Sequence, residues 1–312
     1  MICKKVKLWP DRPDVYLKTY MPEDSPMLLA GKPRPAVIIC PGGGYQFCAD
    51  PEAEPVALKF VAMGYHAFVL NYSVYSAAAG IPPQFAGPES PVCEKTIWPA
   101  AALDLGKAVL TLREKAEEWG LDADRIAISG SSAGAHNCAM YMTSIEEPAI
   151  YETLGCTSEE LRVAAAILCY GVYDLEAIFD YTPVPELEML NRAMNLTLFG
   201  ERTPTKEQLR ALSPVFRDVK NAPPCFLWAT AGDEMVPVVQ TLQMAAALTK
   251  AGVPIEVHVF EEGPHAMSTA SPISAATVFD VNEDVAKWVN LAEYWLRKRF
   301  ALPLATEAVS PI

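Results

Sequence analysis

Arg125-Ile126-Ala127-Ile128-Ser129-Gly130-Ser131-Ser132-Ala133-Gly134-Ala135-His136 decides how the rest of this chain is read. The stretch opens with strand-forming residues, turns through a Gly/Ser-rich centre, and continues into an Ala-rich segment suited to a helix. A serine at so sharp a strand-to-helix turn projects its hydroxyl outward, where it can attack a ligand. Residues two before and two after that serine approach too closely for a Cβ, which requires glycine at both. The requirement fixes the register: Ser132 is flanked by Gly130 and Gly134, whereas Ser131 would be flanked by Ser129 and Ala133. Such a pentapeptide also arises by chance in Gly/Ser-rich loops, so its weight comes from the strand before it and the helix after it.

Upstream, Ala100 to Trp119 has the spacing of one long amphipathic helix, with Leu103, Val109, Leu110, Leu112 and Ala116 on its apolar side and Gly120 as its stop. Ala36 to Cys40 is a continuous, β-branched run of the kind a strand shows when both its faces are buried. It ends in Pro41-Gly42-Gly43-Gly44-Tyr45, and a helical stretch from Glu52 to Met63 leads to a strand from Tyr65 to Tyr72. Strand, helix, strand implies a parallel sheet. Residues 3 to 8 and 14 to 20 alternate apolar and polar around a Pro-containing turn, as an antiparallel hairpin at a sheet edge would. Downstream strands are expected over 163–170, 225–231 and 255–260, with helices over 238–250 and 281–300. The fold class is therefore α/β, a mostly parallel central sheet of about eight strands flanked by helices. We expect a single domain over residues 1–312, with 175–215 as a small cap insertion containing short helices near Glu186 to Met194 and Thr205 to Leu212. Ser73 to Pro99 shows no period and is broken by five prolines; a loop of that length is read as an active-site wall.

Composition excludes several functions. Hydrophobic residues make up 51% and charged residues 20%, which fits a soluble protein with a substantial core. Formal net charge is −13, with no Lys/Arg-rich run, so neither nucleic acid nor an anionic membrane is an expected partner. No apolar stretch has the length of a secretion signal or a membrane span. The eight cysteines show no Cys-x-x-Cys pair or metal-ligand spacing and read as thiols in a reducing cytoplasm. Cys138, on the elbow helix, reads as core.

A serine nucleophile needs a base, a group that orients the base, and donors for an oxyanion. Four histidines are available. His136 lies up the elbow helix facing away from the attacking oxygen, His66 opens a strand, and His258 lies within one. His265 alone sits in a loop after a strand, where ligands of α/β sheets gather. The acid should follow the preceding strand, at Asp233, with Glu234 and Asp174 as competitors. A carboxylate at 233 could equally cap the helix that begins nearby. The oxyanion donors should be the N–H groups of Ala133, Gly43 and Gly44, although three glycines could merely form a flexible turn. Tyr45, Tyr72 and Tyr75, together with Phe85, are the candidate substrate contacts.

Several of these motifs, with Asn71-Tyr72, Glu118-Trp119-Gly120-Leu121-Asp122-Ala123-Asp124-Arg125, Gly232-Asp233-Glu234-Met235-Val236-Pro237 and Ala251-Gly252-Val253-Pro254-Ile255-Glu256, resemble the acetyl esterase/lipase branch of the α/β-hydrolases. Within it, the chain is similar to bacterial acetylxylan esterase-like, xylanase-associated sugar esterases. It departs from the hormone-sensitive-lipase relatives at Pro41, where they carry histidine. It also has Gly134-Ala135-His136 and Gly263-Pro264-His265-Ala266 where branch members often have Gly-Gly-His and Gly-Gly-His-Gly. The resemblance implies a serine carboxylesterase that removes short acyl groups, acetyl in particular, from a sugar or small alcohol. No metal or organic cofactor is then required. The expected partner is a small-molecule ester or acetylated oligosaccharide, and a homo-oligomer is possible. Competing readings are a serine peptidase, an arylformamidase-like amidase, and a catalytically silent binding protein on the same fold.

Overall fold

A computed structural model describes residues 1–25, 28–82, 87, 89–178, 185–304 and 306. Its strands are β1 (Lys5–Trp9), β2 (Arg12–Tyr20), β3 (Arg34–Cys40), β4 (His66–Asn71), β5 (Leu121–Ser131), β6 (Ala165–Cys169), β7 (Cys225–Thr230) and β8 (Ile255–Phe260). They form one sheet in the order β1-β2-β4-β3-β5-β6-β7-β8. The hairpin β1/β2 is antiparallel and β2 joins β4 antiparallel; every pairing from β4 to β8 is parallel. The apolar run of β3 lies near the middle because it can be buried on both faces. Ala36, Ile38 and Cys40 point into one core and Val37 and Ile39 into the other.

Helices Ala100–Glu114, Ala133–Ser144 and Val239–Lys250 cover the first face; Glu54–Ala62 and Glu283–Phe300 cover the second. In the last of these Val285, Trp288, Val289, Ala292, Trp295 and Leu296 repeat at helical spacing and are buried, each large side chain contributing roughly 1.5–3 kcal/mol. Trp288 stacks on Trp228 with ring centroids 5.2 Å apart.

The helix expected to run unbroken to Trp119 is interrupted at Lys115. The short turn that follows brings Trp119 parallel over Phe68, at 5.5 Å, before Gly120 reverses the chain with φ 60. Its buried stripe is Ala101, Leu105, Ala108, Val109 and Leu112, while Leu103, Leu110 and Ala116 are only partly buried. Between β6 and β7 the helices are Pro185–Phe199, longer than expected, and Lys206–Ala211. Within 73–99 a helix at Tyr75–Ala79 replaces what the sequence left patternless, and Phe85 lies outside the described residues.

His136 has a structural place. Its Nε2–H donates to the Leu212 carbonyl (2.8 Å), so its Nδ1 must accept from the Tyr45 hydroxyl (2.7 Å). Burial lowers the pKa of His136 to about 4, and that of His66 likewise to about 4. Both therefore stay neutral in the folded protein while the unfolded chain protonates from about pH 6.5 downward. Stability from this source is fully present above pH 6.5 and is lost as pH falls toward 4. At pH 5 the expected loss is roughly 2 kcal/mol per histidine. Urea midpoints at pH 7 and pH 5 measure it; equal midpoints would contradict it.

Candidate active site

Ser132 joins β5 to the elbow helix with φ 52 and ψ −120, a conformation that costs a non-glycine residue about 1–3 kcal/mol. Two backbone bonds hold it: its N–H donates to the Cys169 carbonyl (2.9 Å), and its carbonyl accepts from the His136 N–H (3.0 Å). A Cβ on Gly130 would overlap the Gly134 carbonyl, as the register argument requires. A Cβ on Gly134 would overlap the Cys40 carbonyl, so this glycine also lets the elbow helix sit against the end of β3.

The loop after β8 carries His265 to Ser132, with Nε2 to Oγ at 2.8 Å. Asp233, after β7, accepts from His265 Nδ1 at 2.6 Å through Oδ2. Its other oxygen, Oδ1, accepts the N–H groups of Met235 (2.9 Å) and Val236 (2.8 Å), so the carboxylate caps a turn and orients the imidazole at once. With Asp233 ionised, Nδ1 carries the hydrogen and Nε2 is free to accept a proton from Ser132. The Asp233 side chain is wholly buried and that of His265 nearly so, which shields the pair from water. Glu234 is exposed, and Asp174 uses Oδ1 to cap the N–H groups of Glu176 and Ala177.

Gly43 and Gly44, with φ 116 and 60, line the cavity beside Ser132 and Ala133, and no described residue accepts from their N–H groups. The Gly42 N–H, by contrast, is taken by Glu52 Oε2 at 2.7 Å. Sequence reasoning passed over Glu52 as a helix start. It is a buried carboxylate at the rim of the cavity, and its Oε1 accepts from the Tyr170 hydroxyl at 2.8 Å. Tyr170, at φ 38, also accepts the Ser268 N–H (3.1 Å), and its ring meets His265 edge-on at 5.3 Å. One carboxylate thus links the glycine loop to the histidine loop. Burial pushes the Glu52 carboxyl above its usual range, opposed by the Tyr170 hydroxyl, His265 and the Gly42 N–H. Nothing in a single sequence distinguishes Glu52, which meets Tyr170 only after 118 residues of chain.

The three tyrosines expected to touch substrate do not line the cavity. Tyr45, Tyr72 and Tyr75 are all buried, their hydroxyls turned inward to His136, the Pro41 carbonyl and the Pro91 carbonyl. Each brings a hydroxyl that must find a partner once buried, and backbone and histidine acceptors beneath the loops supply it. The cavity, about 240 Å³, is walled instead by Phe47, Val172, Ile178, Leu187, Leu190 and Met194, with Asn191 among them. Three of these apolar residues come from the helix Pro185–Phe199. That helix is tied to the glycine loop by Gln46, whose Nε2 donates to the Ala193 carbonyl (3.1 Å) and Thr197 Oγ1 (2.8 Å). Among the described residues no cluster of three or more His, Cys, Asp or Glu side chains could hold a metal, and no helix is long and apolar enough to cross a membrane.

A mostly parallel sheet of this order, with serine, aspartate and histidine presented beyond the ends of β5, β7 and β8, defines the α/β-hydrolase fold. The BD-FAE family model matches residues 19–248, and the chain belongs to that family. It is similar to the esterase LipQ of Mycobacterium tuberculosis, 29% identical over 83% of this chain and 56% of LipQ. Among solved structures, the carboxylesterase Cest-2923 from Lactobacillus plantarum has a TM-score of 0.77 at 25% identity, covering 98% of this chain and 100% of that one. The acetyl ester-xyloside bifunctional hydrolase from Caldicellulosiruptor lactoaceticus has a TM-score of 0.71 at 29% identity, covering 95% and 96%. The chain spans between a third and just over half of the curated relatives it matches.

Proposed function

We propose that the chain is a serine carboxylesterase acting on short-acyl esters, acetyl esters among them, of a sugar or small alcohol. The observation that carries this reading is the continuous pair of hydrogen bonds from Ser132 Oγ through His265 to Asp233 at the foot of the cavity. Ser132 Oγ attacks the ester carbonyl as its proton passes to His265 Nε2, and the oxyanion is met by the N–H groups of Gly43, Gly44 and Ala133. Collapse expels the alkoxide, which takes the proton from the imidazolium; water, activated by the same imidazole, then releases the acid from the acyl-serine. Apolar walls and about 240 Å³ suit an uncharged acyl chain rather than an ionised one. Helix Pro185–Phe199 acts as the cap, residues 179–184 of the expected 175–215 insertion lying outside the described residues, and the eight cysteines, all free, favour the cytoplasm. Mixing the protein with 4-nitrophenyl acetate tests the mechanism: a burst of nitrophenol and an acetyl group on the peptide containing Ser132 are expected, whereas hydrolysis without any acyl-serine excludes it.

Glu52 is a positioning residue in this scheme, holding the oxyanion loop and, through Tyr170, the histidine loop. In Glu52→Gln one of these acceptors becomes a donor, against either the Gly42 N–H or the Tyr170 hydroxyl. A hydrogen bond to a charged group contributes about 1.5–3 kcal/mol, so kcat is expected to fall at least about tenfold with KM nearly unchanged. Steady-state kinetics beside a thermal melt separate this from unfolding; a wild-type kcat removes Glu52 from the scheme.

A further inference from the structure

The helix over the cavity presents Leu187, Leu190, Asn191 and Met194 to it, at the i, i+3, i+4, i+7 spacing of one face. Three of the four are apolar, and the fourth is an amide. Asn191 is 8% exposed, yet no described residue hydrogen-bonds its side chain, and its polar atoms are not sealed from the cavity. The other polar side chains on the wall are committed: both Glu52 oxygens accept bonds, and Ser132 and His265 hold each other. Asparagine on an otherwise apolar face leaves an unmatched donor and acceptor facing the ligand. An unpaired buried amide is costly to a fold, and a ligand group that pairs with it recovers that cost on binding.

We propose that Asn191 selects esters bearing a hydroxyl, which both donates to its Oδ1 and accepts from its Nδ2, while the neighbouring leucines and methionine pack the carbon skeleton. The proposal rests on the esterase reading and adds to it the residue that selects the substrate, the hydroxyl lying either on the alcohol, as in a polyol or sugar, or on the acyl chain. Two pairs of probes separate these sources. Glycerol 1-monoacetate against propyl acetate examines the alcohol side, and methyl 3-hydroxybutyrate against methyl butyrate examines the acyl side. In wild type one of the hydroxylated esters is expected to exceed its deoxy partner in kcat/KM. In Asn191→Leu that ratio should drop by roughly tenfold or more. Asn191→Ala should lower the ratio similarly, and a thermal melt of each variant reports that it is folded. Ratios in both arms that are the same in wild type and variants overturn the role of Asn191. Failure of the wild type to hydrolyse any of the four esters overturns the esterase reading instead.

Discussion

Ser132→Ala is expected to fold normally and to lose ester hydrolysis, with kcat reduced by roughly 10⁴-fold or more. The substitution keeps the Cβ and the two backbone bonds to Cys169 and His136, so the elbow has no reason to rearrange. Only the Oγ is removed, and with it the atom that bonds His265 Nε2. Residual turnover would come from the glycine loop polarising a carbonyl for attack by water. Hydrolysis of 4-nitrophenyl acetate, a thermal melt, and mass analysis after mixing check the three parts together: rate lost, melt retained, acylation absent. A variant that still hydrolyses esters at the wild-type rate would show that another group is the nucleophile.

Asp233→Asn should be nearly as damaging, by about 10⁴-fold in kcat, for a reason the geometry makes specific. Oδ1 accepts two backbone N–H groups and must remain an oxygen, so the new amide nitrogen has to face His265 Nδ1. Nδ1 then accepts instead of donating, the hydrogen moves to Nε2, and the imidazole can no longer take a proton from Ser132. Little loss of stability is expected, because the turn-capping oxygen is preserved. Kinetics with a denaturation curve check this; full activity in the variant would separate Asp233 from the reaction.

The sheet was legible because its inner strands advertise themselves: Ala36 to Cys40 is apolar at every position, which only burial on both faces explains. Ser132, Asp233 and His265 were legible for a related reason, since each follows a strand and the pool of histidines was small. The same rule failed for Tyr45 and Tyr72. Both also follow strands, but whether an aromatic at that height points up into the cavity or down beneath it depends on where its hydroxyl finds an acceptor. Sequence does not carry that information. Glu52, Tyr170 and Asn191 escaped for the opposite reason, as nothing about their local patterns is unusual. Their interest arises only when distant segments meet, or when one face of a helix is known to be the wall. The break at Lys115 was invisible because both sides of it keep helical spacing.

The two bonds from Gln46 to the helix above the cavity have a further consequence. They anchor that helix through its backbone at Ala193 and the side chain of Thr197, while Met194 packs in the core and Leu190 lies against Gly44, leaving positions 187 and 191 with no part in either bond. The fold therefore offers a socket whose mount and whose lettering are separate. Descendants of this chain can rewrite positions 187 and 191, and so change what the cavity accepts, without touching the bonds that hold the helix to the glycine loop.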